Sequence, residues 1–225
     1  TGRLCGPGTA PGFRVVGNMH MERSLRGPAK VIDISKVNEG DNGPAPNPDA
    51  PNGLPYVRRD GERNPEADAF DAPKMRDMRS AVEALSLGQF FFDDLDAAHH
   101  AVSLLRAWFI DPKTGMNPHL EYGQGVPGVA DGRPAGIIET STYCRLIEAL
   151  GVLEVSGALS EMDRADLLMW MKSYRDWLLN SEFGKREAKA PNNHATWYDA
   201  QVCALALYTG DPRIVQSIAE RAKEE

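Results

Sequence analysis

The chain has 225 residues, of which 42% are hydrophobic and 25% are charged, and its formal net charge is −7. This composition is typical of a globular protein with a sizeable core, and no stretch approaches the ~18 consecutive apolar residues of a membrane span. The acidic balance counts against nucleic acid as a partner, because phosphate binding needs a basic surface. We therefore expect neither a membrane partner nor a nucleic-acid partner.

Residues 1–55 are rich in glycine and proline, which disfavour a continuous helix. They predict an extended arm, in which Phe13–Val16 and Val31–Ile34 are long enough only for edge strands or for extended packing against a scaffold. Residues 56–225 then form the folded domain. The three cysteines have no metal-ligand spacing, and Cys144 and Cys203 fall in apolar helical stretches, so we expect buried thiols, no metal and no cofactor.

Apolar residues at intervals of three and four predict six helices from Asp71 onward. The first three predicted helices span about 72–92, from Asp94 or Asp96 to before Pro112, and Ile137–Val155. The fourth begins after the capping pair Ser160 and Asp163, the fifth spans about 193–209, and the sixth begins at Pro212. Short turns at Asp93–Leu95, Gly157–Leu159 and Gly210–Asp211 join them in pairs. The fold class is therefore all-α, an α/α array of three antiparallel hairpins.

The connection Asp111–Gly136 holds four prolines and six glycines and lacks a helical period. A loop of this length inside a compact domain is uncommon unless it is functional. It carries the polar and aromatic side chains Asn117, His119, Tyr122 and Gln124. We expect it to line a cleft with Tyr122 and Gln124 facing His194, and a plain surface excursion is the alternative.

The segment Pro191–Gln201 concentrates amide, imidazole, indole, phenol and carboxylate groups at a helix start. A period of 3.6 residues puts His194, either Trp197 or Tyr198, and Gln201 on one face. The alternative is an asparagine helix cap followed by an ordinary core histidine. Just before it, Lys185, Arg186 and Lys189 form a basic cluster in a stretch that we expect to be a loop. Arg58, Arg59 and Arg63 form another basic cluster. Either cluster is a locally positive cleft or a solvated surface.

The stretch Asn192–Gln201 resembles the Asn-Asn-His signature of the alginate-lyase family of polysaccharide lyases and its glucuronan-cleaving relatives. Further stretches resemble the same family in the same order, whereas nothing in residues 1–55 does. They are Tyr56–Gly61 with Asn64–Glu66, Trp108–Phe109 with Met116–Pro118, Tyr122–Gln124, and Gly136–Thr140. This resemblance implies an (α/α) toroid, of which 225 residues supply about half, and a secreted or periplasmic enzyme.

The resemblance also implies cleavage of an acidic polysaccharide, a 4-O-linked uronate polymer, by β-elimination. In that reaction, N–H donors must neutralise the uronate carboxylate before the C5 proton can leave, which suits the catalytic candidates Asn193 and His194. His194 is alternatively the base, and a tyrosine can serve as base or acid. The expected substrate-binding residues are Asn117, Tyr122, Gln124, Lys189, Trp197, Tyr198 and Arg59.

The family pattern places an arginine and a catalytic tyrosine in a later segment that has no match here, and neither Tyr122, Tyr143 nor Tyr198 takes that position. We therefore expect a further segment or a second chain to complete the toroid. The competing prediction is a non-catalytic uronate-binding protein or an incomplete fragment of a lyase that is inactive as the isolated chain. A glycoside hydrolase would need two facing carboxylates, for which Asp199 and Glu139 are the candidates.

Overall fold

The computed structural model describes residues 44–58 and 71–224, and helices dominate both the length and the core of that part. Strands β1 (Pro44–Ala45) and β2 (Val57–Arg58) form one short antiparallel pair. The α-helices are α1 (Asp71–Phe92), α2 (Leu95–Leu105), α3 (Tyr143–Ser156), α4 (Glu161–Asn180), α5 (Glu182–Glu187), α6 (Asn193–Tyr208) and α7 (Pro212–Glu224). The all-α prediction is confirmed, and the predicted strands 13–16 and 31–34 lie outside the described residues.

Helix caps explain why the predicted helix ends agree with the structure. Asp94 accepts a hydrogen bond from the Ala97 backbone nitrogen and caps α2. Ser160 and Asp163 form the predicted reciprocal capping box at the start of α4. Gly157, with a φ of 74°, takes the left-handed conformation that ends α3. These ends fix the three predicted hairpins, α1–α2, α3–α4 and α6–α7.

Two parts of the helix prediction are wrong. The predicted helix Ile137–Val155 is divided into a 3₁₀-helix, Pro134–Thr140, and α3, which begins at Tyr143. The division follows from the buried hydroxyl of Thr140, which lies 2.5 Å from Tyr174 Oη on α4 and 2.8 Å from Gln201 Oε1 on α6. Tertiary hydrogen bonds therefore decide the path of this segment. The basic stretch that was predicted as a loop contains the short helix α5, which Ser181 caps.

The core lies between two sets of helices, with α3 packed between α1 and α6, and with α4 packed against α5 and α6. Fully buried aliphatic side chains come from α1, α2, α3, α4 and α6, including Val82, Leu105, Leu146, Leu167 and Leu205. Cys144 and Cys203 are free thiols, as expected, but they are only half buried. Among the described residues, the longest apolar helices fall short of what crossing a bilayer requires.

Helices α3 and α6 run in the same direction, because Gln201 meets Thr140 just before α3 begins and Tyr208 Oη lies 3.2 Å from Glu154 Oε1 near its end. Their C-terminal ends lead into the short turns 157–160 and 209–211, which we call the turn end. The opposite end receives the connections 111–133 and 181–192, which we call the connection end. The Asn-Asn-His segment lies at the connection end.

Candidate active site

The chain makes a sharp corner between α5 and α6, and this corner presents the Asn-Asn-His segment. Gly184 of α5 lies so close to α4 that a Cβ atom there would overlap the Leu178 carbonyl oxygen. Asn192 caps α6, since its side chain accepts a hydrogen bond of 3.1 Å from the His194 backbone nitrogen. Glycine on one side and a capping amide on the other therefore set the geometry of the corner.

His194 and Glu187 face each other across the corner. His194 Nδ1 lies 2.6 Å from Glu187 Oε1, and the two side chains are 16% and 4% exposed. The sequence did not predict a role for Glu187, because it lies within a basic cluster and on another helix. His194 is therefore neither an isolated core histidine nor a freely rotating surface residue, because a buried carboxylate holds one of its ring nitrogens.

Asn193, Lys189 and Trp197 are exposed around this pair, and the Trp197 side chain exposes 44% of its surface. Because Asn192 provides the cap, the Asn193 amide is not needed to start the helix, and it forms no hydrogen bond with another described residue. These three residues are placed where a ligand from solvent can reach them. Their roles in substrate binding and catalysis stay predictions.

The helical period allowed either Trp197 or Tyr198 on the face shared with His194, and the structure exposes Trp197 and buries Tyr198. Tyr198 is 4% exposed, and its hydroxyl donates a 2.9 Å hydrogen bond to the Leu178 carbonyl. Burial, with a smaller contribution from Asp199, raises the pKa of Tyr198 to about 12. Tyr198 is therefore a structural link between α6 and α4 and is not placed to contact a polymer, which corrects the expectation that it binds substrate.

The connection 111–133 brings three rings together beside α4. The His119 ring centre lies 6.2 Å from that of Tyr122 and 6.2 Å from that of Trp177. Desolvation lowers the pKa of His119, against an opposing contribution from Glu121, so that the neutral imidazole is favoured. Tyr122 and nearby Asn117 are half buried. A half-buried aromatic wall of this kind suits stacking against a sugar ring.

The Gln124 side chain is not available to a substrate either, contrary to the expectation, because it has no exposed surface. Its amide nitrogen donates to Glu139 Oε1 at 3.1 Å, and its amide oxygen accepts from Arg133 Nη2 at 3.0 Å. Arg133 also donates to the Gln124 carbonyl oxygen, which holds this residue at its positive φ of 48°. Gln124 therefore fixes the loop from inside and is not presented to a ligand.

Backbone contacts attach this loop to the rest of the connection end. A Cβ at Gly136 would overlap the Gly123 backbone, so the loop lies directly on the 3₁₀-helix that also contacts α5 and α6. Trp177 directly precedes Leu178, whose carbonyl binds Tyr198. The ring group and the α5–α6 corner therefore border the same end of α4.

The earlier motif at residues 56–61 is only partly described. The Tyr56 backbone nitrogen donates a 3.0 Å hydrogen bond to the Pro127 carbonyl, which joins this segment to the same loop. Arg59 and Arg63 lie outside the described residues. Of the tyrosines considered for proton transfer, Tyr143 is 1% exposed, and burial raises its pKa well above the usual value. Tyr122 alone among Tyr122, Tyr143 and Tyr198 is partly accessible.

Comparisons with known proteins agree with the motifs. The profile of the alginate lyase family matches residues 25–225, so the match includes part of the arm, in which we expected no resemblance. The fold is similar to the crystal structure of an alginate lyase from Bacteroides ovatus, with a TM-score of 0.76 and 34% sequence identity. That similarity covers 92% of this chain and 57% of the other, so the chain spans little more than half of that relative's length. No curated protein matches the sequence.

Proposed function

This chain belongs to the alginate lyase family, and we propose that it takes part in cleaving a 4-O-linked uronate polymer by β-elimination at the α5–α6 corner. The observation that carries the proposal is the combination of an exposed Asn193 amide with a His194 ring that is held by a buried carboxylate. Both groups are available at the end of the molecule that carries the long connections.

The chemistry of β-elimination explains why these side chains are suitable. The proton on C5 is weakly acidic while the neighbouring carboxylate keeps its charge, because the carbanion would then carry a second negative charge. Preorganised N–H donors at that carboxylate lower the barrier. The amide of Asn193 and the ammonium group of Lys189 are donors that solvent can reach, and they fit this task.

Binding of the polymer requires contacts on either side of the reacting sugar. Trp197, which is 44% exposed, offers an apolar ring face next to the corner. The half-buried Tyr122, with His119 and Trp177 behind it, offers a second aromatic surface on the loop. Asn117 lies at the start of that loop. We assign these residues to substrate binding, with Tyr122 also a candidate proton donor.

Membership of the alginate lyase family supports the further proposal of a secreted or periplasmic location. The competing function, binding of the polysaccharide without cleavage, uses the same surface. The two functions differ in one measurable property, the appearance of an unsaturated uronate product.

The experiment is to incubate the 225-residue chain with a panel of mannuronate, guluronate and glucuronate polymers. We expect a rise in ultraviolet absorbance from the C4–C5 double bond on at least one of them. New reducing ends without that absorbance would identify hydrolysis and contradict the proposal. Retarded migration in polymer-containing gels with neither signal would identify the non-catalytic binder.

A further inference from the structure

We infer that Glu187 is a positioning residue that holds His194 in the tautomer with its free lone pair on Nε2, so that His194 is the proton acceptor of the reaction. This inference rests on the proposed function and deepens it, because the residue types alone left His194 either as a carboxylate-neutralising donor or as a base. Glu187 is not among the residues that the sequence motifs identified.

The first step of the argument is the hydrogen bond itself. Nδ1 of His194 and Oε1 of Glu187 are 2.6 Å apart, a distance typical of a strong, charge-assisted hydrogen bond. An ionised carboxylate can only accept, so the proton of this bond belongs to Nδ1. A neutral imidazole carries only one N–H, and the other nitrogen, Nε2, is then an acceptor.

The second step is that the surrounding structure fixes the carboxylate. The Glu187 side chain is 4% exposed, and α5 is too short to be stable without tertiary contacts. Its N-terminus is capped by Ser181, and Gly184 brings it into van der Waals contact with the α4 backbone. The Asn192 cap fixes the backbone of His194 in the same way. Both partners are therefore held before any substrate arrives.

The third step is the balance of the reaction. Nε2 takes the proton from C5, the C5–H electron pair becomes the C4–C5 double bond, and the bond from C4 to the leaving oxygen breaks. The electron pair of that bond stays on the leaving oxygen, which receives a proton from Tyr122 or from solvent water. The imidazolium that forms on His194 is stabilised by the charge of Glu187, while Asn193 and Lys189 serve the substrate carboxylate.

The test uses two substitutions of Glu187 and one matched control. Glu187→Ala removes both the charge and the acceptor, whereas Glu187→Gln keeps an acceptor oxygen of the same size. Glu182→Gln removes the same charge from the same helix at a position whose side chain is 83% exposed. Thermal unfolding checks that each variant is folded.

The first readout is independent of activity. The ¹⁵N chemical shifts of His194, assigned by their loss in His194→Ala, should show protonated Nδ1 and unprotonated Nε2 in the unsubstituted chain at neutral pH. The ring should change to the Nε2–H tautomer in Glu187→Ala and stay unchanged in Glu182→Gln. An Nε2–H ring in the unsubstituted chain would overturn the inference and leave the proposed lyase function standing.

The second readout is turnover on the polymer that the unsubstituted chain cleaves. We expect kcat to fall by at least ~10²-fold in Glu187→Ala, with little change in KM, because a misprotonated base is the main defect. Glu187→Gln should retain more activity than Glu187→Ala and less than Glu182→Gln. An unchanged kcat in both Glu187 variants would overturn the inference. Absence of cleavage by the unsubstituted chain, together with the Nδ1–H tautomer, would instead overturn the proposed function and with it the acceptor role of His194.

Discussion

The two ends of the α3–α6 pair use similar polar side chains in different ways. At the turn end, Glu154 of α3 accepts a hydrogen bond from the Tyr208 hydroxyl of α6 and lies 3.6 Å from Arg164 Nη2 of α4. Its carboxylate therefore connects three helices. At the connection end, Glu187 Oε1 lies 2.6 Å from Nδ1 of the His194 ring. Both carboxylates join helices, but the Glu154 side chain is 26% exposed, whereas that of Glu187 is 4% exposed and holds an imidazole that is itself 16% exposed. The difference lies in the burial of the carboxylate and not in residue type.

The largest expected effect is a loss of turnover, and it distinguishes the two ends of α6. We expect His194→Ala to lower turnover by at least ~10²-fold, the loss typical of a positioned acid or base, with the fold intact. Tyr208→Phe removes one hydrogen bond at the other end of the same helix, and it should cost about 1 kcal/mol of unfolding free energy with normal turnover. Steady-state kinetics and urea unfolding of both variants measure this contrast. Equal activity in the two variants would return His194 to a structural role.

The next effect separates two neighbouring asparagines. Asn193→Ala should reduce turnover by about 10²-fold with little change in stability, because the exposed amide is proposed to neutralise the substrate carboxylate. Asn192→Ala should lower the unfolding free energy by about 1 kcal/mol, because it removes the cap of α6. Kinetics and denaturant unfolding on both variants test the assignment. If Asn193→Ala loses stability and keeps its activity, the roles of the two amides have been exchanged.

The third effect concerns two glycines. Gly136→Ala should destabilise the protein by about 1–3 kcal/mol, because the new methyl group overlaps the Gly123 backbone and pushes the loop away. Gly151→Ala meets no atom within 4 Å and should add about 0.5–1 kcal/mol through its better helix propensity. Unfolding midpoints in urea give both values. A neutral Gly136→Ala would mean that the loop does not rest on the 3₁₀-helix as described.

The smallest effect is an acid dependence that arises outside the candidate site. Arg106 donates two hydrogen bonds to Asp163 and, with Ser160, lowers the pKa of that carboxyl to about 2. Because the folded pKa lies below the unfolded value, this contribution is complete above about pH 4 and is lost as the pH falls toward 2. We expect it to be about 1–2 kcal/mol, since the Arg106 side chain is half exposed and its charge is screened.

Urea unfolding between pH 2 and 5 measures this contribution. Asp163→Asn should show a shallower loss of stability with acid than the unsubstituted chain, and Glu161→Gln is the control that removes a charge from an exposed position in the same helical turn. Identical acid profiles for the Asp163→Asn variant and the unsubstituted chain would show that the Arg106 pair contributes nothing measurable.

Local rules predicted the parts of the fold that depend on neighbouring residues. The capping box of Ser160 and Asp163, the start of α2 at one of the two predicted aspartates and the turn at Gly157 depend only on a few adjacent residues, and the structure has all three. The break before Tyr143 was missed because its cause, the contact of Thr140 with Gln201, joins positions 61 residues apart. A prediction from a short stretch of sequence cannot include a contact between positions so far apart.

The candidate site was predicted in part for the same reason. The Asn-Asn-His segment is visible as a motif, and its exposure follows from the position at a helix start. The choice of Tyr198 over Trp197 for the core, and the burial of Gln124, depend on which neighbours pack against them. Glu187 was missed because its partner lies across the corner, although a lone acidic residue within a basic cluster was the available signal.

The contact of Thr140, Tyr174 and Gln201 has a consequence for how the protein moves. All three side chains have no exposed surface, and they join the 3₁₀-helix, α4 and α6. Sliding any one of these elements would leave hydroxyl and amide groups unpaired in a dry interior, which is costly. Backbone amides around these residues should therefore exchange with solvent hydrogen only through global unfolding, whereas amides of the neighbouring loop exchange by smaller openings.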